Sequence, residues 1–429
     1  LIGALLRKGR VGLYALVGRD RMLYAALVVF CAWVIVQAGL AYLRFGSLVV
    51  AGIGLLAYLS PLPALWLAYY FVRREHDIER LLQCYALCCI VVGASIYLSL
   101  LDLDWQVFKQ VGEGLAIYDR YQHRYIEAHT GLMRAPDIAA WHVGTGACLL
   151  MMMAIVTRQG WLRWWIAPMV VLLVTAGLLT GRRKILMEVV VFLAMYGLLL
   201  WYFRQRKARW GIVSVIAAAM LFVSATTVLA PSQSLRQVSP YIQRGGSVFG
   251  DALERFQMLG LQSIAWAIDE VGWFGLGAGV ASQGVQHFGG MRAAGAAEGG
   301  LGKITIELGV PGLILVLWLA LALAVYGWKI LKNVPQSNPY LTRLAYGLTA
   351  LCLANVPIFM SASQIYGDPF VLMMLGWMAG FVLAVPRLQR LQARAEIAYP
   401  AGQPNAVRAL REAIALSSTP GLQQPGGRG

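Results

Sequence analysis

The stretch LTGRRKILMEVV, Leu179–Val190, places three consecutive cations, Arg182, Arg183 and Lys184, between two long apolar runs. A helix crosses a 30 Å hydrocarbon core with about 20 apolar residues. Runs of that length lie on both sides of the cations, so they read as two spanning helices joined by a tight turn. The same test along the chain gives ten spans, at roughly 22–43, 47–72, 81–101, 136–157, 162–181, 184–203, 210–230, 303–330, 341–361 and 368–386. The fold class is an all-α polytopic membrane protein with two longer extracytoplasmic loops, about 102–135 and 231–302. Composition agrees. The chain is 59% hydrophobic and 13% charged, against roughly 25% charged in a soluble domain.

SPLP at 60–63 predicts a kink in the second span. Residues 1–19 read as a short interfacial helix. The chain begins with Leu, so its numbering is expected to start inside a longer product. No small-residue cleavage site follows RKGR, so the first span is expected to act as the insertion signal. Residues 387–429 read as a partly disordered cytoplasmic tail. All six cysteines fall in apolar runs and read as small buried hydrophobes, not as disulfides or zinc ligands. The net charge of +16 fits helix ends held against anionic lipid. No basic–aromatic nucleic-acid motif is present, so membrane lipids are the expected partners and nucleic acid is not.

The cations also orient the chain. With the N-terminus in the cytoplasm, the cytoplasmic segments carry 23 of the 36 Lys and Arg, and the other side carries 13. RQRKAR at 204–209 is the strongest anchor. The preceding turn, GRRK, then faces outward, against the rule that orients the rest. One reading is a solvated cap on lipid headgroups, with Lys184 paired to Glu188 one turn on. The other is an anion site at the outer rim, because Arg presents a planar fork of donors suited to phosphate.

The first outer loop mixes Trp105, Phe108, Tyr118, Tyr121 and Tyr125 with charges, as an interfacial segment does. His123 and His129 read as solvated loop histidines. In the second loop, Phe249, Leu253, Phe256, Leu259, Leu261, Ile264 and Ile268 share one helical face. A Gly/Ala-rich stretch follows from 272, which permits close backbone approach to a ligand or simple mobility. Arg236, Arg244, Arg255 and Arg292 are the cations there. Glu298 stands alone among Gly and Ala directly before a spanning helix. It reads either as a desolvated general base or as an ordinary N-terminal helix charge.

Residues 135–385 resemble the superfamily of O-antigen ligases and O-antigen or exopolysaccharide repeat-unit polymerases, integral-membrane glycosyltransferases of the bacterial inner membrane. Three motifs in order carry the resemblance. LLTGRRK looks like the family's TGSR turn, implying that Arg182 or Arg183 binds diphosphate. ERFQM…WFGLGAG at 254–279 is similar to an Arg-to-Gly-x-Gly stretch, pointing to Arg255. EGGLGKITIELGVPGL at 298–313 looks like HNxYLxxLxExGxxGL, with Glu307, Gly309 and Gly312 in register. In that register the family's His-Asn becomes Glu298-Gly299. Either Glu298 replaces histidine as base, or His287 reaches back from eleven residues upstream.

The resemblance makes 1–386 a transmembrane glycosyltransferase domain with its active site facing the periplasm and both termini cytoplasmic. It implies an undecaprenyl-diphosphate-linked oligosaccharide as donor, an acceptor glycan, and other polysaccharide assembly proteins as partners. Arg182, Arg183 and Arg255 would neutralise the leaving diphosphate, supported by Lys184, Arg292 and Glu307. Neither outer loop carries an Asp-rich metal motif, so the expected reaction is metal- and cofactor-independent and inverting. A polymerase is favoured over a ligase that joins glycan to a lipid A core. A polyprenyl-lipid transporter is the alternative of another class, and a non-catalytic envelope scaffold a third.

Overall fold

The computed structural model describes residues 20–100, 116–119, 124–156, 160–205, 256–282, 299–334 and 338–398, with scattered positions between 210 and 254. It is a bundle of α-helices. In chain order they are α1 (Arg21–Phe45), α2 (Leu48–Leu59), α3 (Pro61–Phe71), α4 (Glu75–Leu100), α5 (Pro136–Val156), α6 (Gly160–Leu179), α7 (Lys184–Tyr202), α8 (Ser263–Val271), α9 (Gly300–Asn333), α10 (Pro339–Ser361) and α11 (Pro369–Ala398). Counting α2 and α3 as one span, eight of these segments are long and apolar enough to cross a membrane, and α6 contributes a shorter apolar helix, Trp164–Leu179. The seventh expected span, 210–230, lies largely outside the described residues.

Local chemistry sets the helix ends. Asp20 caps α1 by accepting from Leu23 N–H at 3.3 Å, and Gly46 closes it at φ 65°. Ser47 caps α2 in the same way. The expected kink is present, because α2 ends at Leu59 and Pro61 opens α3. α4 starts at Glu75, earlier than its apolar run. The Asp77 carboxylate accepts the N–H groups of Arg73 and Arg74 and anchors that extra turn.

Contacts between helix ends define two faces of the bundle. On one face Lys329 Nζ meets Asp20 at 2.8 Å, Asn338 donates to Glu75, and Arg387 donates to Tyr69 O. On the opposite face Arg44 donates to Gly275 O and Arg134 pairs with Asp368 at 2.7 Å. The GRRK turn belongs to this second face. Gly211 lies against Ile155 near the first face, and Tyr241 reaches Glu127 on the second. The chain therefore changes faces between those residues.

α5 is the hub. In its most apolar window 94% of residues are buried, and it packs on α4, α6, α7 and α10. Outward helix faces are apolar, as lipid contact requires. On α4, Leu87 and Val91 are exposed together with Cys84 and Cys88. Those two cysteines lie on the outer stripe rather than in the core as expected. All six are free thiols.

Both loops differ from their sequence reading. Within the first, Ala116–Asp119 and Arg124–Glu127 pair as a short antiparallel hairpin. In the second, Phe256–Gln262 forms a π-helix that runs into α8. The wider π turn breaks the 3.6-residue period, and Leu261, expected on the apolar face, is exposed. Phe249 and Leu253 lie outside the described residues.

The glycine-rich segment contacts the bundle directly. Gly277 and Gly279 hold φ 120° and 95°, conformations that side chains rarely adopt. A Cβ on Gly279 would stand 2.2 Å from Val50 O, and one on Gly277 2.7 Å from Ala41. The close approach that glycine permits is thus to α1 and α2. α9 receives this segment at a break, where Gly309 has φ 71° ahead of Pro311.

Candidate functional site: a cation cluster at the GRRK turn

The turn is built by Thr180 and Gly181. Thr180 Oγ1 donates to Gly177 O at 2.6 Å and accepts from Arg182 N–H. Gly181 adopts φ 69° while its N–H bonds Leu178 O at 2.8 Å. This closes α6 and starts α7 at Lys184, with the cations on the bend. Arg182 Nη2 lies 3.1 Å from Asp137 Oδ2, and Lys184 Nζ lies 3.3 Å from Oδ1 of the same carboxylate. Asp137 sits in the first turn of α5, where an acid suits the helix dipole.

The end of the first loop and part of the second loop also reach this turn. His129 N–H bonds Leu179 O at 3.3 Å. Tyr241 OH donates to Glu127 O at 3.0 Å and lies 3.2 Å from His129 Nε2. Arg244 Nε donates to Gly181 O at 3.0 Å. Arg182, Arg183, Lys184 and Arg244 thus collect at this turn, and Asp137 pairs with Arg182 and Lys184. The Arg182 Nε atom is buried with no hydrogen-bond partner. Asp137, Ala140, Trp141, Arg182, Lys184 and Glu188 line a cavity of about 10 Å³, room for about one water.

Two expectations are corrected. Lys184 does not pair with Glu188. Glu188 is 1% exposed and accepts from Thr145 Oγ1 at 2.8 Å, because its position on α7 faces α5 rather than the turn. His129 is buried, not solvated, because Tyr241 and the α6 carbonyl cover it. Below the cluster, polar groups continue down α5. His142 Nδ1 lies 2.6 Å from Tyr85 OH, and Trp141 donates to Asn355 Oδ1 at 2.7 Å.

Of the other expected site residues, Arg255, His287, Arg292 and Glu298 lie outside the described residues. Glu307 is described, and it belongs to a different network. Its Oε2 accepts from Tyr58 OH at 2.6 Å, and its Oε1 accepts from Ala281 N–H at 2.9 Å and Ser282 Oγ at 3.2 Å. At the Gly309 break, Leu308 O accepts from Trp33 Nε1 at 2.9 Å, and Ile306 O takes Leu276 N–H at 2.8 Å. Glu307, Gly309 and the glycine-rich segment thus lock the second loop onto α1, α2 and α9.

Sequence reasoning missed Asp137 and Tyr241 and gave Arg244 no role. Asp137 carried one signal, an acid next to Pro136 at the same face as GRRK. Tyr241 carried none. Chemically, the turn gathers the N–H donors of four cationic side chains, a donor type suited to oxyanions. The sequence matches no protein-family model and no curated protein.

Proposed function

We propose that this chain is a membrane glycosyltransferase that moves a polyprenyl-diphosphate-linked oligosaccharide to an acceptor sugar hydroxyl, as a repeat-unit polymerase of the bacterial inner membrane. The observation that carries the reading is the clustering of Arg182, Arg183, Lys184 and Arg244 at the end of an apolar bundle, with Arg182 Nε buried and unbonded. A lipid diphosphate needs apolar surroundings for its tail and cationic donors at the membrane boundary, and the turn stands at the end of an apolar helix bundle. Donors aimed at the leaving diphosphate stabilise charge that grows as the glycosidic bond breaks. In this reading Arg182 and Arg183 hold the diphosphate, Arg255 and Arg292 add to the charge, and Glu298 or His287 takes the acceptor proton. The reaction proceeds by direct, inverting displacement without a metal. The GRRK face is periplasmic and both termini are cytoplasmic. A lipid A core as acceptor would make the same machinery a ligase.

One observation favours a transporter instead. Glu188 and His142 are buried within the bundle, and ionisable groups inside a membrane often mark transport paths. Purified protein in proteoliposomes with undecaprenyl-diphosphate oligosaccharide separates these readings. Longer lipid-linked chains support the polymerase. Movement of the lipid between leaflets without chain growth refutes it.

A further inference from the structure

A cavity of about 250 Å³ opens between α4, α5, α6 and α10, toward the face opposite the GRRK turn. Helix packing explains its place. Near the GRRK face α4 and α6 press together. A Cβ on Gly93 would stand 2.7 Å from Leu173, and Tyr97 OH donates to Leu172 O at 2.9 Å. Toward the other face the two helices part, and Leu82 and Ile166 line the space between them. Protein interiors hold few voids larger than a water.

Its walls are apolar. Leu82, Leu150, Val156, Ile166 and Leu344 are all buried. Its polar groups gather at one end. Glu79 and Gln83 come from the first turns of α4, and Tyr340 from the first turn of α10. Those helix starts belong to the face where Asn338 donates to Glu75, so the polar end lies at the membrane boundary. Gln83 is exposed there and marks the mouth. The Tyr340 hydroxyl lies close to Glu79, but no hydrogen bond closes between them. It is buried without a partner, a state few native hydroxyls occupy. Glu79 is the charged residue among the described ones that line the cavity. Its carboxylate accepts from Gln83 at 3.2 Å and meets His76, itself 61% exposed, at 2.8 Å. These surface contacts are weak, and a carboxylate has lone pairs for further donors.

We propose that this cavity binds a membrane phospholipid with a primary-ammonium head group, of the phosphatidylethanolamine class, its acyl chain against the apolar walls and its ammonium donating to Glu79. Apolar walls with a few convergent polar groups are the form that ligand pockets take. An apolar cavity of about 150 Å³ holds a benzene ring, so this larger one admits a stretch of acyl chain. The acidic mouth selects a cation over an anionic head group. Among cationic head groups a primary ammonium offers three N–H donors, and a choline offers none. The Tyr340 hydroxyl then finds its acceptor among the ester or phosphate oxygens of the lipid. The site shares no residue with the GRRK cluster and does not depend on the function proposed for it.

The test is native mass spectrometry of the full chain in non-ionic detergent, titrated with phosphatidylethanolamine, phosphatidylcholine or phosphatidylglycerol of matched acyl chains. Wild type should retain one phosphatidylethanolamine at least about tenfold more tightly than either of the others, the scale of one charge-assisted contact. Glu79→Gln keeps the shape of the mouth and should erase that preference. Met153→Trp, on the cavity wall, should fill the space and abolish retention. Equal retention of the three lipids by the wild type, a preference that survives Glu79→Gln, or undiminished retention in Met153→Trp overturns the proposal. Should Met153→Trp fail to fold, phosphatidylethanolamine with a diazirine on its acyl chain decides on the wild type. Label on Leu150, Val156 or Leu344 supports the site, and label confined to the outward stripe of Leu87 and Val91 overturns it.

Discussion

Replacing Asp137 by Asn should move stability and anion affinity in opposite directions. Asp137 bridges Arg182 at 3.1 Å and Lys184 at 3.3 Å, with the three side chains 12%, 25% and 21% exposed. A pair at 4 Å and an effective dielectric of 20 gains about 4 kcal/mol before desolvation. Partial exposure and the cost of stripping water reduce the net value to about 1–3 kcal/mol. The Asn variant should therefore unfold more readily by about that amount. The same carboxylate competes with any incoming phosphate for the same donors. Removing its charge should tighten pyrophosphate binding by about tenfold, equivalent to about 1.4 kcal/mol. Thermal unfolding and equilibrium dialysis on the same purified preparation give the two quantities. If Asp137→Asn weakens pyrophosphate binding, Asp137 positions the cations rather than competing for them, and the reasoning fails.

Gly279→Ala must put a Cβ 2.2 Å from Val50 O at φ 95°, and should cost on the order of 3 kcal/mol; Gly52→Ala on α2, with nothing within 4 Å, should be neutral or stabilising, and equal melting temperatures for the two would contradict the packing. Glu307→Ala strips the partners of Ala281 N–H and Ser282 Oγ and should lower the melting temperature, while folded protein keeps its pyrophosphate affinity at the GRRK turn; a lost affinity would tie Glu307 to that site. The hydrogen bond from Lys329 holds the Asp20 carboxyl below the usual carboxylate range. Because the folded value is depressed, its stabilisation is present above the unfolded value and lost as pH falls through the folded one. Asp20→Asn should thus lower the melting temperature at neutral pH, with the gap closing in acid; a gap independent of pH would contradict it.

Eight of the ten expected spans were legible because hydrophobic length is set by the bilayer, and GRRK was legible because three cations broke an apolar run. Pro61 announced its own kink. What stayed hidden depended on distant contacts. Leu261 looked like a core residue until a π turn changed its phase. Lys184 and Glu188 look paired at i,i+4, yet Asp137, 47 residues from Lys184, takes the lysine. The glycines of WFGLGAG signalled close backbone approach, but not that the neighbours are α1 and α2. Glu307 fell in register with a functional motif, and its carboxylate holds a loop in place. Sequence spacing reports local geometry, and these roles were set by which helix faces meet.

The central claim is that Arg182 at the GRRK turn works on a lipid diphosphate. The most direct measurement compares chain growth from undecaprenyl-diphosphate oligosaccharide by wild-type and Arg182→Ala protein in proteoliposomes, with matched insertion and melting temperature. The account predicts growth in the wild type and a loss of about a hundredfold or more in the variant, the scale of removing one donor to developing charge. Equal growth by the two proteins would contradict it.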